Sequence, residues 1–286
     1  MASLRQLREQ VRSIQNIAKI TRAMEMVSAS KLKRAQNRLL AVRQVTQYLS
    51  TLMERVAPSL AATNHPLTRA VPDAPRHLLI ILGSDTGLCG SYNERLARAA
   101  LEVLKREPRE LTCVGVLGKR ADRMLRRTPY TVVERWLGWA GRPDPARAAT
   151  LREFALARYR AGEVDRVSFV YMRFKSSMVY VPTVEQLLPI AVPTANESAY
   201  PVEYIYEPTK ERALETLLEE WLRLKVWVTL LEAFTSEHSA RMIAMRNATD
   251  NASELMDELT LTRNKVRQAT ITRELAEIVG TAEALK

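Results

Sequence analysis

The sequence predicts an α/β chain: two long terminal helices, wound as an antiparallel left-handed coiled coil, flank a central Rossmann-like α/β domain. Three observations predict this. First, all 13 prolines lie between Pro58 and Pro208, and eight of the 9 glycines lie between Gly83 and Gly162, so residues 1–57 and 209–279 contain neither breaker. A glycine or proline costs a helix interior about 1 or 3 kcal/mol, so such long breaker-free runs are expected to be helical. Second, apolar residues in both runs recur at steps of three and four. Third, the middle of the chain alternates short apolar runs with amphipathic stretches, the pattern of a parallel sheet covered by helices.

Taken in order, residues 1–57 are expected to form the N-terminal coiled-coil helix. Leu4, Leu7, Val11 and Ile14 open the seam; Ile17, Ile20, Met24 and Val27 continue it after a break in phase. Leu32, Ala35, Leu39, Val42, Thr46, Leu49, Met53 and Val56 then carry it to the end. A sustained alternation of three and four is a heptad seam and implies left-handed supercoiling.

Residues 75–205 are expected to form the Rossmann-like domain. "HLLIILG" (77–83), "LTCVGVLG" (111–118), "YTVVE" (130–134) and "VSFVYMRF" (167–174) read as strands. Residues 92–107 and 119–127 read as helices between them, and Asp144 followed by Pro145 is an N-cap and first-turn pair for a helix through Arg160. "MVYVPTVEQLLPI" and "VEYIYEP" are expected to be extended and to lead out of the domain.

Residues 209–286 are expected to form the C-terminal coiled-coil helix. Met245, Ala248, Ala252, Leu255, Leu259, Thr262, Val266 and Ala269 keep the heptad step, with small residues that allow close helix approach. Its 71 breaker-free residues would extend roughly 105 Å as one helix. The last apolar residues, Ile278, Val279, Ala282, Ala284 and Leu285, form a short apolar tip.

Charge and composition narrow the function classes. The net charge is +11, and residues 1–57 hold 11 Lys/Arg against 3 Asp/Glu. A basic arm implies an acidic partner: nucleic acid, anionic lipid or an acidic protein face. No apolar run is long enough to span a membrane, and "MASLRQLREQVRS" has no signal-peptide core. The two cysteines, Cys89 and Cys113, make no disulfide framework, and His65, His77 and His238 have no metal-ligand spacing, so no metal is expected.

"GSDTGLCGSYN" (83–93) is the one stretch that invites a nucleotide. It follows a strand and precedes a helix, where phosphates are often held. Yet it lacks both the lysine of a GxxxxGK[ST] loop and the spacing of GxGxxG. Asp85 has no second carboxylate beside it in the sequence, and Cys89 has only His77 nearby, inside a strand. No catalytic residue and no cofactor are therefore expected, and the loop reads as a tight turn that uses glycine's backbone freedom.

Family resemblance enters at the two ends. "NIAKITRAMEMVSASKLKRAQ" (16–36) resembles the N-terminal helix of the γ subunit of bacterial F-type ATP synthases. "SEHSARMIAMRNATDNASELMDELTLTRNKVRQATITRELAEIVGTAEAL" (236–285) resembles its C-terminal helix, and "SDTGLCGSYN" resembles a loop of its globular domain. "RFKSSMVYVPTVEQLLP" and "EYIYEP" fit its middle and its return to the shaft, so the resemblance runs the length of the chain. Thr86 departs from it, since many members carry a basic residue there.

The resemblance implies a non-catalytic rotor shaft inside an α3β3 ring, with the ε subunit and the membrane c-ring at its foot. By rotation it would couple proton flow to ATP synthesis or hydrolysis in the ring. It implies residence on the cytoplasmic face of the bacterial inner membrane, peripheral and membrane-associated only through the complex. It also assigns residues. Met24 and Arg241 are expected to face the acidic loop of the β subunit, and Arg267 and Gln268 to form a polar catch on a β-subunit loop, with Thr272 and Glu274 one turn further on. Tyr204 and Glu207 are expected at the foot facing the c-ring. Two other readings remain open on residues alone: a basic coiled-coil nucleic-acid-binding protein, suggested by the arm, and an α/β enzyme with helical extensions.

Overall fold

A computed structural model describes residues 3–69, 74–126, 128–139, 141–192 and 204–284. Among these residues, six α-helices and five strands follow in the order α1 (Leu4–Arg55), α2 (Ala57–Thr63), β1 (His77–Leu82), α3 (Tyr92–Leu104), β2 (Thr112–Leu117), α4 (Lys119–Leu125), β3 (Thr131–Trp136), α5 (Pro145–Arg160), β4 (Arg166–Phe174), β5 (Tyr180–Leu188) and α6 (Lys210–Ala284). The helices are long where the sequence lacks breakers: α1 has 52 residues and α6 has 75. Pro58 does not end helical structure, because it sits in the first turn of α2, where its missing N–H has no intrahelical role. Asp144 caps α5 as expected, its carboxylate accepting from the Ala146 N–H at 3.0 Å.

The chain divides into two compact units: residues up to Ser28 together with those from Met242 onward, and Ala29–Arg241. In the larger unit the sheet order is β3-β2-β1-β4-β5. β1, β2, β3 and β4 are mutually parallel, while β5 is antiparallel to β4. This corrects the expectation that "MVYVPTVEQLLPI" leads out of the domain. A turn closed by Val179 N–H to Ser176 O at 3.2 Å folds residues 180–188 back onto β4. Pro182 is tolerated there because β5 is an edge strand.

The central strands alternate between two buried layers, so their sequences read as continuous apolar runs. Leu78, Ile80 and Leu82 of β1 face a layer built by Ala148, Leu151 and Ala155 of α5 and by Leu214, Leu218, Leu222, Val226 and Leu230 of α6. Leu79 and Ile81 face the opposite layer, which holds Leu96, Ala100 and Leu104 of α3 and Ala121 and Leu125 of α4. Burying one such aliphatic side chain contributes about 1.5–3 kcal/mol, so the two layers hold the sheet from both sides.

The inward positions of α1 correct the expected break in phase. From Ile14 the buried and half-buried positions include Ala18, Thr21, Met24, Glu25 and Ser28 before Leu32. The step of three and four is thus unbroken. Ile17, Ile20 and Val27 are instead exposed, Ile20 to 60%. Beside Met24, the inward positions there are small and polar residues, which a search for apolar residues overlooks. In the smaller unit the Thr21 and Thr249 hydroxyls meet at 2.8 Å. On α6 the seam likewise departs from expectation: Thr249, Met256 and Arg263 are half-buried, whereas Leu255 is 45% exposed and Thr262 is exposed.

Candidate functional site

The glycine loop is built by its backbone. Gly83 N–H donates to Leu117 O at 2.9 Å, tying the end of β1 to the end of β2. A side chain at Gly83 would place its Cβ 2.6 Å from that of Ala121. Gly118, at φ +97°, would bring a Cβ within 2.7 Å of the Gly83 and Ser84 backbone. Glycine is needed at both places, one for close approach and one also for its left-handed backbone. Asn93 returns from α3 to accept the Ser84 N–H at 3.2 Å, and its amide donates to the Ser84 hydroxyl at 2.8 Å.

The two groups weighed as catalytic candidates are taken up structurally. The Asp85 carboxylate accepts from Lys119 N–H at 3.1 Å and Gly138 N–H at 2.9 Å, so it joins two neighbouring loops. Cys89 is buried, and burial pushes its thiol above the ordinary range. A neutral buried thiol is a poor nucleophile. The loop borders a shallow hollow of about 280 Å³ with Arg120, Arg123 and Met124 on its other wall.

Arg241 is the cation of α6 nearest this loop, and it is buried. Its guanidinium donates to Thr86 O at 3.2 Å, Thr86 Oγ1 at 2.8 Å and Gly87 O at 3.3 Å. It also pairs with Glu237 at 2.8 Å. Burial raises the Glu237 carboxyl above its usual range, with Arg241 opposing that shift. Thr86, where the resemblance departs, thus presents a hydroxyl that accepts from Arg241; a basic side chain there would face another cation.

The remaining expected residues are distributed as follows. Met24 is half-buried on α1, one turn from Thr21. Arg267, Gln268, Thr272 and Glu274 are all exposed on α6. At about 100° per residue, Arg267 and Glu274 share one face, and Gln268 and Thr272 share the adjacent one. Ile271, Leu275, Ile278 and Val279 are also exposed on this stretch. Leu285 lies outside the described residues, as do the side chains of Ala282 and Ala284. Tyr204 packs its ring against the larger core layer, while Glu207 is exposed.

Two polar clusters escaped the sequence reading. The first joins β4, β5, α1 and α6: Arg43 donates to Glu232 at 2.8 Å, Lys225 to Glu185 at 2.6 Å, and Arg173 reaches Glu185 at 3.1 Å. Its members are far apart in sequence, so no local signal marks them. The second is the run "TSEHSAR" (235–241), buried on every side of α6. Its signal was present, since no apolar stripe continues through a helix that is clearly helical on both flanks. Among the described residues no group of His, Cys, Asp and Glu is placed to hold a metal, and no helix is long and apolar enough to cross a membrane.

A family model described as ATP synthase matches residues 3–285. The ATP synthase gamma chain of Moorella thermoacetica is 40% identical over 286 residues, with the whole of both chains covered. That of Pelotomaculum thermopropionicum is 38% identical over 286 residues, again with both chains fully covered. Among solved structures, a chain of the Euglena gracilis mitochondrial ATP synthase in rotational state 3 superposes with a TM-score of 0.72 at 22% identity, over 99% of this chain and 94% of that one. That last likeness is one of fold, and it extends to the long terminal helices and the intervening sheet domain. With its relatives matched from end to end, the chain belongs to the ATP synthase gamma-chain family.

Proposed function

We propose that this chain is the central rotor shaft of a bacterial F-type ATP synthase, itself non-catalytic. It couples proton flow through the membrane sector to ATP synthesis and hydrolysis in the α3β3 ring by rotation. The observation that carries this reading is the end-to-end match to gamma chains at 38% and 40% identity. The physical features agree with it. A shaft needs stiffness, and α6 runs 75 residues without a proline. It acts on its ring by fitting each catalytic site differently at each angle, so that rotation shifts the sites' conformational equilibria in turn.

In this reading residues 1–57 and 209–286 are the shaft helices and 75–205 is the foot domain. The partners are the α and β subunits, the ε subunit and the c-ring, on the cytoplasmic face of the inner membrane. Met24, Arg267, Gln268, Thr272 and Glu274 meet the ring, and the exposure of the last four on α6 leaves them available for it. Arg241 acts in the same zone by holding residues 86 and 87, to which its guanidinium is bonded. Glu207 is exposed for the c-ring, and Tyr204, half-buried against the core, stands three residues before it. The test is co-expression of the chain with the α, β and ε subunits of its own organism. An ATP-hydrolysing complex containing the chain is expected. A chain that stays outside the ring, or that binds duplex DNA at physiological salt, overturns the reading.

A further inference from the structure

Residues 235–241 of α6 combine two properties that rarely occur together. Thr235, Ser236 and Ser239 are 0% exposed, Glu237 1%, His238 2% and Arg241 8%. A helix buried all round is normally apolar all round, yet Ala240 is the one apolar residue of these seven. Hydrophobic packing is non-directional, and a run of leucines would fill this space. The polar residues do something leucines cannot: they bond in fixed directions.

Four of them bond outward to the α/β body. Ser236 Oγ donates to Met172 O on β4 at 2.8 Å, and Ser239 Oγ to Ser177 O in the β4–β5 turn at 2.5 Å. His238 Nε2 lies 2.8 Å from Gly141 O, so this nitrogen carries the proton. Arg241 donates to Thr86 and Gly87 in the glycine loop, and Glu237 holds its guanidinium in place. At about 100° per residue these four side chains point in directions spread over roughly 220° of the helix circumference. Turning α6 by about 30° would move atoms on its rim, about 5 Å from the axis, by about 2.6 Å. A displacement of that size breaks a hydrogen bond, and here it would strain all four anchors at once.

We propose that Ser236, His238, Ser239 and Arg241 form a torsional key, a set of positioning residues that fix the rotational setting of α6 within the α/β body. Torque enters α6 through this segment, and the glycine loop, the loop at Gly141 and the turn at Ser177 are its keyway. The inference rests on the rotor reading, because only a chain that transmits torque needs a helix locked against rotation about its own axis.

The test uses the complete ATP synthase, with torsional stiffness between the α/β body and the α3β3 ring measured in single molecules. The variant is the double substitution Ser236→Ala with Ser239→Ala. Its apolar control is Leu230→Ala, at a fully buried position of the same helix. Removing two of the directional bonds of this segment should lower the measured stiffness below wild type. Leu230→Ala should lower thermal stability yet leave stiffness unchanged, and Ser239→Thr, which keeps the hydroxyl, should retain it. Should the double variant not assemble, Ser239→Ala alone should lower stiffness by a smaller amount in the same direction. Unchanged stiffness in the serine variants, or an equal loss in Leu230→Ala, overturns the key. A wild-type chain that assembles but never rotates overturns the rotor reading instead.

Discussion

Single residues decide the glycine loop and the pH response. Gly118 has a positive φ and abuts the backbone of Gly83 and Ser84. Gly118→Ala should therefore destabilise the protein by about 3 kcal/mol or more, combining backbone strain with a clash against groups that cannot move aside. A denaturation midpoint close to wild type would contradict this. His238 is buried and held neutral, its imidazole lowered from 6.5 to about 4 mainly by desolvation. Between those two values the unfolded chain binds a proton that the folded chain refuses. Stability therefore rises with pH across that window and is lost as pH falls through it. His77 is lowered from 6.5 to about 4 by the same cause and adds to the slope. His238→Gln still offers an amide donor to Gly141 O but does not titrate, so urea unfolding from pH 7 to 4 should show a shallower loss than wild type. An identical slope would mean that His238 is not the group responsible.

At the scale of elements, α5 is the helix whose start was legible residue by residue. Asp144 accepts the Ala146 N–H, and Pro145 occupies the first turn. Asp144→Ala should lower stability by about 1 kcal/mol, read as a shifted denaturation midpoint with unchanged slope. β1, β2, β3 and β4 were legible because apolar runs bounded by turn residues fit buried parallel strands. β5 was legible as an extended run but not as a member of the sheet, because only the turn at Ser176 and Val179 returns it to β4. The seam of α1 was half legible. Ile17, Ile20 and Val27 look like core yet are exposed, while Ala18, Thr21 and Ser28 are turned inward. Apolar residues on the outside of a helix whose inner face is small and polar suit a surface that turns against other subunits.

The whole molecule is where the rotor predictions belong. Met24 is half-buried, so the flexible stem of a lysine there can lie along the helix surface while its ammonium reaches solvent. Met24→Lys should leave assembly intact and uncouple ATP hydrolysis from proton pumping in membrane vesicles. Unchanged pumping per ATP would remove Met24 from the ring contacts. Gln268 is exposed, and among the described residues its side chain makes no hydrogen bond; only its backbone carbonyl accepts, from the Thr272 hydroxyl. Gln268→Leu should therefore leave the melting temperature of the isolated chain unchanged while lowering the steady-state ATPase of the assembled ring. Wild-type turnover would reduce it to an ordinary polar residue on a helix face.

The sequence by itself determined the long helices, the α/β domain between them and the family to which the chain belongs. Each of these follows from local rules: where glycine and proline are absent, where apolar residues recur, and which residue strings stand at the two ends. The tertiary structure alone decided which face of each helix is turned inward, that β5 joins the sheet, that Asp85 ties the glycine loop to Lys119 and Gly138, and that Arg241 and the polar run 235–241 bind that loop and its neighbours to α6. The reason is physical. Helix propensity acts between residues a turn apart, whereas Thr86 meets Arg241, and Gly141 meets His238, only once the sheet has brought their loops against the same stretch of helix.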